Sequence, residues 1–375
     1  MLLQRLPGSF CGLHLRQLGA VMIFMLCSLT LYRWLDNLNS KVALLEFAWV
    51  KLEKAVTKLQ IDGSGISRPR SSFTDDSNQS WSTERDNDMV LLYNRVPKTG
   101  STSFAGIAYD LCTANRFHVI HMNISRNLRV LGLSDQMRFI KNITGWEEKK
   151  PALYHGHVAF IDFSRFGVSR VPIYINMVRE PLDRLISYYY FVRYGDDFRP
   201  TLRRRKAGDN ESFDECVTRG GKDCDPENLW VQVPYFCGHH ADCWEPGNQW
   251  ALEEAKRNLL HHYLLVGITE ELRDFLAVLE ATLPRFFRGA TQLYAEGMLS
   301  SEGRKSHLRK TAKKIPPKQE TIDRIQSSQI WKMEKEFYEF AKEHFHYVKN
   351  QMFDTINGAL VAKDGRFMFE KMRPK

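Results

Sequence analysis

Two kinds of hydrophobic pattern follow one another from residue 89 onward. Residues 89–93 form a short apolar run with the content of a buried strand. After a turn of small residues, four apolar residues recur at positions i, i+3, i+4 and i+7, namely Phe104, Ile107, Ala108 and Leu111. That spacing is typical of one face of an amphipathic helix. The pattern therefore predicts a strand, a turn at 97–103 and a helix.

The same patterns recur to the end of the chain. Strands are predicted at 118–122, 152–160, 172–178, 262–269 and 359–372. One helix is predicted after Ser134, which can cap it, and a second has Pro181 in its first turn. Two more are predicted at 270–283 and 319–349. Repeated β–α units predict an α/β fold with a mostly parallel central sheet and helices on both faces.

The chain before residue 88 has a different pattern. Residues 18–32 are uncharged and almost wholly apolar, basic residues precede them, and Asp36 is the first acidic residue. We expect a signal-anchor transmembrane helix at 18–34 with residues 1–17 in the cytoplasm. A cleaved signal peptide is the alternative. Either arrangement places the remaining chain in the lumen of the secretory pathway.

A heptad pattern follows the apolar run. Apolar residues alternate at spacings of three and four from Leu35 to Leu59, which predicts a coiled-coil stem over 35–60 that oligomerises. A single amphipathic helix on the membrane is the alternative. Residues 61–87 are rich in Ser, Asp, Asn, Gly and Arg, and we expect a flexible linker there. The folded lumenal domain is then 88–375.

Composition narrows the class of partner. The chain has 375 residues, 43% of them hydrophobic, and a formal net charge of +9. An excess of positive charge favours a polyanion such as nucleic acid, an anionic membrane or an acidic polysaccharide. A lumenal location makes nucleic acid an improbable partner and leaves the polysaccharide.

Cysteines and sequons agree with a lumenal domain. Four glycosylation sequons begin at Asn78, Asn123, Asn142 and Asn210. Four of the seven cysteines, Cys216, Cys224, Cys237 and Cys243, lie within 28 residues. Their spacing suggests disulfide loops 216–224 and 237–243, although a sequence alone does not determine connectivity. A zinc site is the rival interpretation, and the absence of a C-x-x-C pair disfavours it.

The turn at 97–103, PKTGSTS, has the chemistry of an anion site. A strand, a turn of small residues and a helix aim main-chain N–H groups at one point, and hydroxyls and Lys98 add donors. A Walker loop places its lysine at the end of the motif, whereas here the lysine comes first. A phosphate is the expected ligand, and an ordinary turn with a solvated lysine is the alternative.

A second strand–turn–helix follows at 173–187. Arg179 stands where the strand ends, and Ser187 lies two turns into the helix. An arginine fork and a hydroxyl can bind a second phosphate. Together with the Lys98 turn they predict a site for a nucleotide with phosphate at its 5′ and 3′ positions. A simple ion pair between Arg179 and Asp183 is the alternative.

Several motifs here are similar to those of a known family. NRVPKTGSTSF, YHGHV, INMVREPLDRLISYYYF, GDDFRPTLRRRKAGD, PRFFRGATQLY and KSHLRKT run from about Met89 to the C-terminal region. The lumenal domain resembles the Golgi uronyl 2-O-sulfotransferases, which use 3′-phosphoadenosine 5′-phosphosulfate. The resemblance implies a single P-loop-like sulfotransferase domain.

The resemblance also implies roles for the donor-binding residues. Lys98 would contact the bridging oxygen of the donor, where charge grows as the S–O bond breaks. Arg179 and Ser187 would bind the 3′-phosphate. The 5′-phosphosulfate would lie on Thr99, Gly100, Ser101, Thr102 and Ser103. A later loop with Ser306, Leu308 and Thr311 would close over the nucleotide.

The candidate base is one of two histidines, His155 and His157. An alcohol that attacks sulfur must lose its proton, and histidine can accept a proton near neutral pH. In a strand the two side chains would share a face. The resemblance implies that His157 is the base and that His155 assists it. A packed or metal-binding pair is the alternative.

An acidic glycan needs a basic cleft. By resemblance, the acceptor would contact Arg95, Pro97, Tyr109, His121, Asn127, Tyr188, Arg199, Arg205, Arg309, Glu370 and Lys371. Only one or two residues of the 203–206 basic run are expected to touch it, because most charge runs are solvated.

These features predict a membrane-anchored Golgi enzyme. By resemblance, the expected reaction moves sulfate to the 2-hydroxyl of iduronic acid, less often glucuronic acid, in N-sulfated heparan sulfate, with no metal. By resemblance the enzyme would be a homotrimer. The alternatives are the same transfer on dermatan or chondroitin sulfate, a glycosaminoglycan-binding protein without turnover, and a P-loop kinase.

Overall fold

The computed structural model describes residues 87–123, 129–168, 170–196, 199, 201–299, 310–356 and 359–363. All of them belong to one of two units of the chain, Arg70–Lys375. The predicted membrane helix, stem and most of the linker lie outside the described residues. So do seven predicted site residues: Asn78, Asn127, Ser306, Leu308, Arg309, Glu370 and Lys371. None of the described helices has the length and apolar composition needed to cross a membrane.

Seven strands and eleven α-helices make up the described fold. The strands are β1 Val90–Asn94, β2 His118–His121, β3 Ala152–Gly156, β4 Ile173–Val178, β5 Tyr263–Ile268, β6 Phe353–Ile356 and β7 Ala359–Ala362. The helices are α1 Ser101–Leu111, α2 Leu133–Gly145, α3 Pro181–Tyr194, α4 Phe213–Arg219, α5 Gln232–Cys237, α6 Gln249–His262, α7 Leu272–Thr282, α8 Pro284–Phe287, α9 Ala290–Leu299, α10 Gln319–Gln326 and α11 Gln329–Met352.

The central sheet is parallel throughout, as the β–α pattern predicts. Its strand order is β2-β3-β1-β4-β5, and β6 and β7 form a separate antiparallel pair. β1 is the central strand, and its residues Leu91, Leu92 and Tyr93 are fully buried. Because parallel strands end at the same edge, the segments that follow β1, β3 and β4 lie close together.

Helices cover both faces of this sheet. On one face, Phe104 of α1 contacts Tyr93 of β1 and Phe275 of α7, with ring centroids 4.9 and 5.5 Å apart. On the other face, Phe236 of α5 contacts Tyr263 of β5 and Phe337 of α11, at 4.7 and 4.9 Å. The amphipathic pattern of α1 is confirmed, since its four apolar residues are all buried.

Several predicted boundaries are wrong. Ser134 lies inside α2, whose N-cap is Gly132. The predicted strand 152–160 ends at Gly156. The predicted helix 319–349 is two helices, because Ser328 accepts a hydrogen bond from the main-chain N–H of Trp331 and caps α11. A local hydroxyl cap interrupts the helix although the apolar period continues on both sides.

The cysteines form the two predicted disulfides, Cys216–Cys224 and Cys237–Cys243. These disulfides contradict the alternative interpretation, in which the same four side chains form a zinc site. Cys112 is free and half-buried. The sequons Asn123, Asn142 and Asn210 have exposed asparagines, so a glycan could be attached there without unfolding.

Candidate active site

The two histidines lie beside Arg95 at the carboxyl edge of the sheet. The register of β1 with β3 pairs Tyr93 with His155 and Asn94 with Gly156. Arg95 follows β1 directly, and its main-chain N–H donates to Gly156 O at 2.8 Å. The parallel pairing therefore brings Arg95 next to both histidines.

Arg95 contacts each histidine with a different group. Its Nη1 donates to Nδ1 of His155 at 3.2 Å, and its carbonyl oxygen lies 2.8 Å from Nδ1 of His157. Its Nη2 donates to Thr102 Oγ1 at 2.9 Å. The side chain is only 8% exposed. The contact of Arg95 with the acceptor, which the resemblance implies, stays a prediction, and these bonds also connect Arg95 to both histidines.

These contacts assign the tautomer of both rings. A guanidinium only donates, so Nδ1 of His155 accepts and the neutral ring carries its proton on Nε2. That Nε2 lies 3.0 Å from the Tyr109 hydroxyl, to which it donates. A carbonyl only accepts, so Nδ1 of His157 carries the proton and Nε2 keeps its lone pair. His157 Nε2 can therefore accept a proton, whereas both nitrogens of His155 are used in bonds.

Both histidines are held neutral. Burial, followed by the charge of Arg95, lowers the pKa of His155 to about 3 and that of His157 to about 4. A neutral imidazole is the form that can act as a general base.

Two of the predicted acceptor contacts surround His155. The ring of His121 stacks on the ring of His155 with centroids 5.0 Å apart, and Tyr109 meets it edge-on at 5.6 Å. Both His121 and Tyr109 are exposed, and Tyr109 is 44% exposed. The buried His155 is therefore bordered by two exposed rings.

The turn between β1 and α1 has the geometry of an anion site. Gly100 caps α1 in the left-handed region with φ of 70°, and Lys98 also has a positive φ of 69°. Thr99 is fully buried and its hydroxyl donates to Val96 O at 3.0 Å, and Ser101 is 4% exposed. Both of these side chains are enclosed, and the contact of residues 99–103 with the phosphate of the donor stays a prediction. Their main-chain N–H groups and the half-buried Thr102 and Ser103 remain in the candidate site.

Lys98 is not a solvated surface lysine. Its ammonium lies 4.1 Å from the ring centroid of Phe191 on α3 and donates to Thr311 Oγ1 at 3.2 Å. Thr311 Oγ1 also lies 3.0 Å from Ser187 Oγ. Three predicted donor-site residues from distant parts of the sequence thus meet at one point.

Arg179 lies at the same edge, where β4 ends. Its side chain is 21% exposed, and its guanidinium makes two long contacts, to Lys98 O at 3.4 Å and to Asp183 at 4.0 Å. The Asp183 ion pair, which was the alternative interpretation, is therefore at the distance limit and leaves the guanidinium within reach of an anion.

The described contacts do not join the other predicted acceptor residues to the histidines. Pro97 and Tyr188 are half-buried, and Arg199 and Arg205 are exposed. Within the 203–206 basic run, Arg204 pairs with Asp196 and Lys206 pairs with Asp223. Internal ion pairs thus involve two of the four charges, and the number of these residues that touch substrate stays a prediction.

The geometry combines a turn that has the shape of an anion site with a neutral histidine, and comparison with known proteins identifies the family. The sequence profile of the Sulfotransferase family matches residues 81–341, which is more than half of the chain. The chain belongs to the sulfotransferase family.

Known sulfotransferases are similar to this one along most of its length. Heparan sulfate 2-O-sulfotransferase 1 of Gallus gallus is 51% identical over 359 residues, or 96% of each chain. The Homo sapiens protein of the same name is 51% identical over 338 residues, covering 90% of this chain and 92% of its own. Heparin sulfate O-sulfotransferase of Drosophila melanogaster is 50% identical over 328 residues, covering 87% and 89%.

Two residues that contact predicted site residues of this sulfotransferase were not predicted from the sequence. Phe191, which supports Lys98, is four residues after Ser187 on α3, so the helical period could have placed both on one face. Gln232 contacts the main chain of Arg179 from α5. No local signal marks Gln232, because 53 residues separate it from Arg179.

Proposed function

We propose that this sulfotransferase moves a sulfuryl group from 3′-phosphoadenosine 5′-phosphosulfate to the 2-hydroxyl of iduronic acid in N-sulfated heparan sulfate. The named relatives support this acceptor. The observation that carries the mechanism is the 2.8 Å bond from His157 Nδ1 to Arg95 O, which leaves Nε2 of a neutral ring as the base.

The donor fits the group of residues around the β1–α1 turn. The N-terminus of α1 and Lys98 suit the 5′-phosphosulfate, because both favour negative charge. Arg179 and Ser187 suit the 3′-phosphate, and the hydroxyl of Thr311 lies between Ser187 and Lys98. Thr102 belongs to α1 and also accepts from Arg95. It therefore connects the donor site to the histidines.

The reaction follows from this arrangement. The acceptor oxygen forms a bond to sulfur as its proton passes to His157 Nε2, and the bond from sulfur to the bridging oxygen breaks. Lys98 balances the charge that grows on the leaving phosphate, which departs as adenosine 3′,5′-bisphosphate. The negative charge of the donor near His157 raises the pKa of the imidazole, so the base is stronger when the site is loaded.

The proposal includes the location and assembly of the enzyme. A signal anchor at 18–34 would hold the catalytic domain in the Golgi lumen, and the heptad pattern at 35–60 would support a homotrimer. The role of the stem in assembly is tested by measuring the molecular size of the full-length protein and of a chain that starts at residue 61. A trimer from both chains would show that the stem is not what assembles it.

An acceptor comparison tests the function. We would measure transfer of labelled sulfate to N-sulfated heparosan that contains iduronate, and to dermatan, for the wild type, His157→Ala and Lys98→Ala. His118→Ala and Lys141→Ala are matched controls, because both side chains are exposed and outside the site. We expect transfer to the heparan acceptor, a loss of about 100-fold or more in His157→Ala, and unchanged controls.

The other outcomes separate the alternatives. Preference for dermatan would retain the mechanism and replace the acceptor. Tight binding of glycan without transfer would contradict the enzymatic proposal and favour a binding protein. Transfer of phosphate from ATP with magnesium would favour the kinase.

A further inference from the structure

A buried amide contacts the main chain of Arg179. Arg179 lies in the short connection between β4, which ends at Val178, and α3, which begins at Pro181. Its N–H donates to Gln232 Oε1 at 2.8 Å, and its carbonyl accepts from Gln232 Nε2 at 2.9 Å. One side chain thus satisfies both main-chain polar groups of Arg179.

Gln232 continues the hydrogen-bonding pattern of the sheet by one residue beyond the end of β4. The pairing of β4 with β5 ends with Val178 opposite Ile268. At Arg179 the amide supplies one donor and one acceptor, as a residue of a neighbouring strand would. The backbone direction of Arg179 is therefore fixed beyond the end of the strand.

Glu334 on α11 fixes the orientation of that amide. Its Oε2 accepts from Gln232 Nε2 at 3.2 Å, and its Oε1 accepts from the N–H groups of Val231 and Val233 at 2.8 and 3.0 Å. A carboxylate only accepts, so the NH₂ end of the amide must face Glu334. The oxygen must then face the N–H of Arg179.

The two side chains are fully enclosed. Gln232 and Glu334 are both 0% exposed. Burial raises the pKa of Glu334, and the charge of Arg184 opposes that rise. Burying an amide and a carboxyl group together is favourable only when their hydrogen bonds are made. All the polar groups of the Gln232 amide are used in the bonds given above.

The guanidinium of Arg179 is held much more weakly than its backbone. Its contacts with Lys98 O and Asp183 measure 3.4 and 4.0 Å, against 2.8 and 2.9 Å for the main chain. The Gln232 bonds therefore fix the main-chain position from which the Arg179 side chain extends, while its guanidinium is held only by long contacts. A displacement of about 1 Å in a residue that contacts substrate can have a large effect on binding.

We infer that Gln232, oriented by Glu334, is a positioning residue that directs Arg179 toward the 3′-phosphate of the donor. This inference rests on the proposed function, which assigns Arg179 to that phosphate. It adds to the donor site two residues that do not touch the nucleotide.

Binding of two nucleotides tests the inference. We would titrate the full-length protein with adenosine 3′,5′-bisphosphate and with adenosine 5′-phosphate, which lacks the 3′ group. The variants are Gln232→Met, which keeps the volume, and Glu334→Gln, which keeps the shape. We expect the preference for the bisphosphate to fall about 10-fold in each while affinity for the monophosphate is unchanged.

Steady-state kinetics and a matched variant separate positioning from stability. The donor KM should rise in Gln232→Met while kcat stays within about 2-fold, because Arg179 contacts a part of the donor that does not react. Asn258→Ala is the control, since Asn258 is a buried amide that donates to Phe236 O and Cys237 O. It should lower Tm and leave the nucleotide preference intact.

A double variant completes the test. If Gln232 acts through Arg179, Gln232→Met should have no further effect on nucleotide preference in an Arg179→Ala background. Equal weakening of both nucleotides in Gln232→Met and Glu334→Gln, or an unchanged preference in a folded variant, would overturn the inference. A wild type without preference for the bisphosphate would overturn the proposed donor site and this inference with it.

Discussion

The Arg95 guanidinium donates to Nδ1 of His155 at 3.2 Å. A permanent positive charge at that distance disfavours a second one on the imidazole, and the contact also determines which nitrogen carries the proton. The carbonyl of the same arginine orients His157. Burial, followed by the charge of this one residue at the end of β1, therefore keeps both histidines neutral.

Replacing Arg95 should move the acidic limb of the pH–rate profile to higher pH. The proposed mechanism requires a neutral His157, whose pKa is lowered to about 4 by burial and then by Arg95. Arg95→Ala removes the charge but keeps the carbonyl, so the pKa should rise toward the ordinary value. The variant should then lose kcat/KM as the pH falls from 7 to 5, where the wild type keeps most of it.

Arg203→Ala is the matched control for that experiment, because Arg203 is an exposed arginine. Its profile should match that of the wild type. An acidic limb that stays in place in Arg95→Ala would show that burial alone accounts for the pKa of His157.

Gly156→Ala should disturb the strand end between the two histidines. A Cβ at Gly156 would lie 2.7 Å from Met122 O and 2.9 Å from Met122 Cβ. The backbone at Met122 would have to move, and His121, which stacks on His155, precedes it. We expect a loss of about 1–3 kcal/mol in the free energy of unfolding and a lower kcat.

Gly145→Ala provides the control for Gly156→Ala. Gly145 is the last residue of α2 and has open space around its Cβ position, so alanine should be neutral or slightly stabilising there. Chemical denaturation and activity assays should separate the two variants. Equal stability of the two would mean that Met122 moves without cost.

The part of the site that the sequence could predict is local. The turn at 97–103 joins β1 to α1, so its pattern predicts an anion site without knowledge of the fold. His155 and His157 are also close in sequence, with only Gly156 between them. The short cysteine loops are a third local feature, and both are formed.

The remaining contacts depend on the fold. The Arg95 side chain meets His155 across 60 residues, and Gln232 meets Glu334 across 102. Hydrophobic periodicity does not predict such long-range contacts, because the patterns of helices and strands indicate only which face of an element is apolar. The break between α10 and α11 was missed for a different reason, since the Ser328 cap leaves the apolar period intact.

Reagents for thiols should distinguish the described cysteines. Cys112 is half-buried and free, whereas the other four described cysteines are in disulfides. Replacing Cys216 and Cys224 together by serine should cost about 2–3 kcal/mol, because a short loop in the unfolded chain is no longer closed. Cys112→Ser should leave Tm nearly unchanged. Alkylation at Cys216 in the native, unreduced protein, read by peptide mass, would contradict the assignment.

Thr311→Val should weaken the donor site without changing its shape. The Thr311 hydroxyl lies 3.2 Å from Lys98 Nζ and 3.0 Å from Ser187 Oγ, so it connects a residue assigned to the 5′ side of the donor with one assigned to the 3′ side. Losing a hydrogen bond of about 1–1.5 kcal/mol should raise the donor KM about 5- to 10-fold. The KM for the acceptor should be unaffected, since Thr311 has no contact with the histidines among the described residues.

Thr282→Val is the appropriate control for Thr311→Val. Thr282 is also a hydrogen-bonded threonine, but its hydroxyl donates to Val278 O within α7. The exchange there should change Tm and not the donor KM. If Thr311→Val lowers kcat and leaves the donor KM unchanged, then Thr311 acts on the reacting group through Lys98 and not on the affinity for the nucleotide.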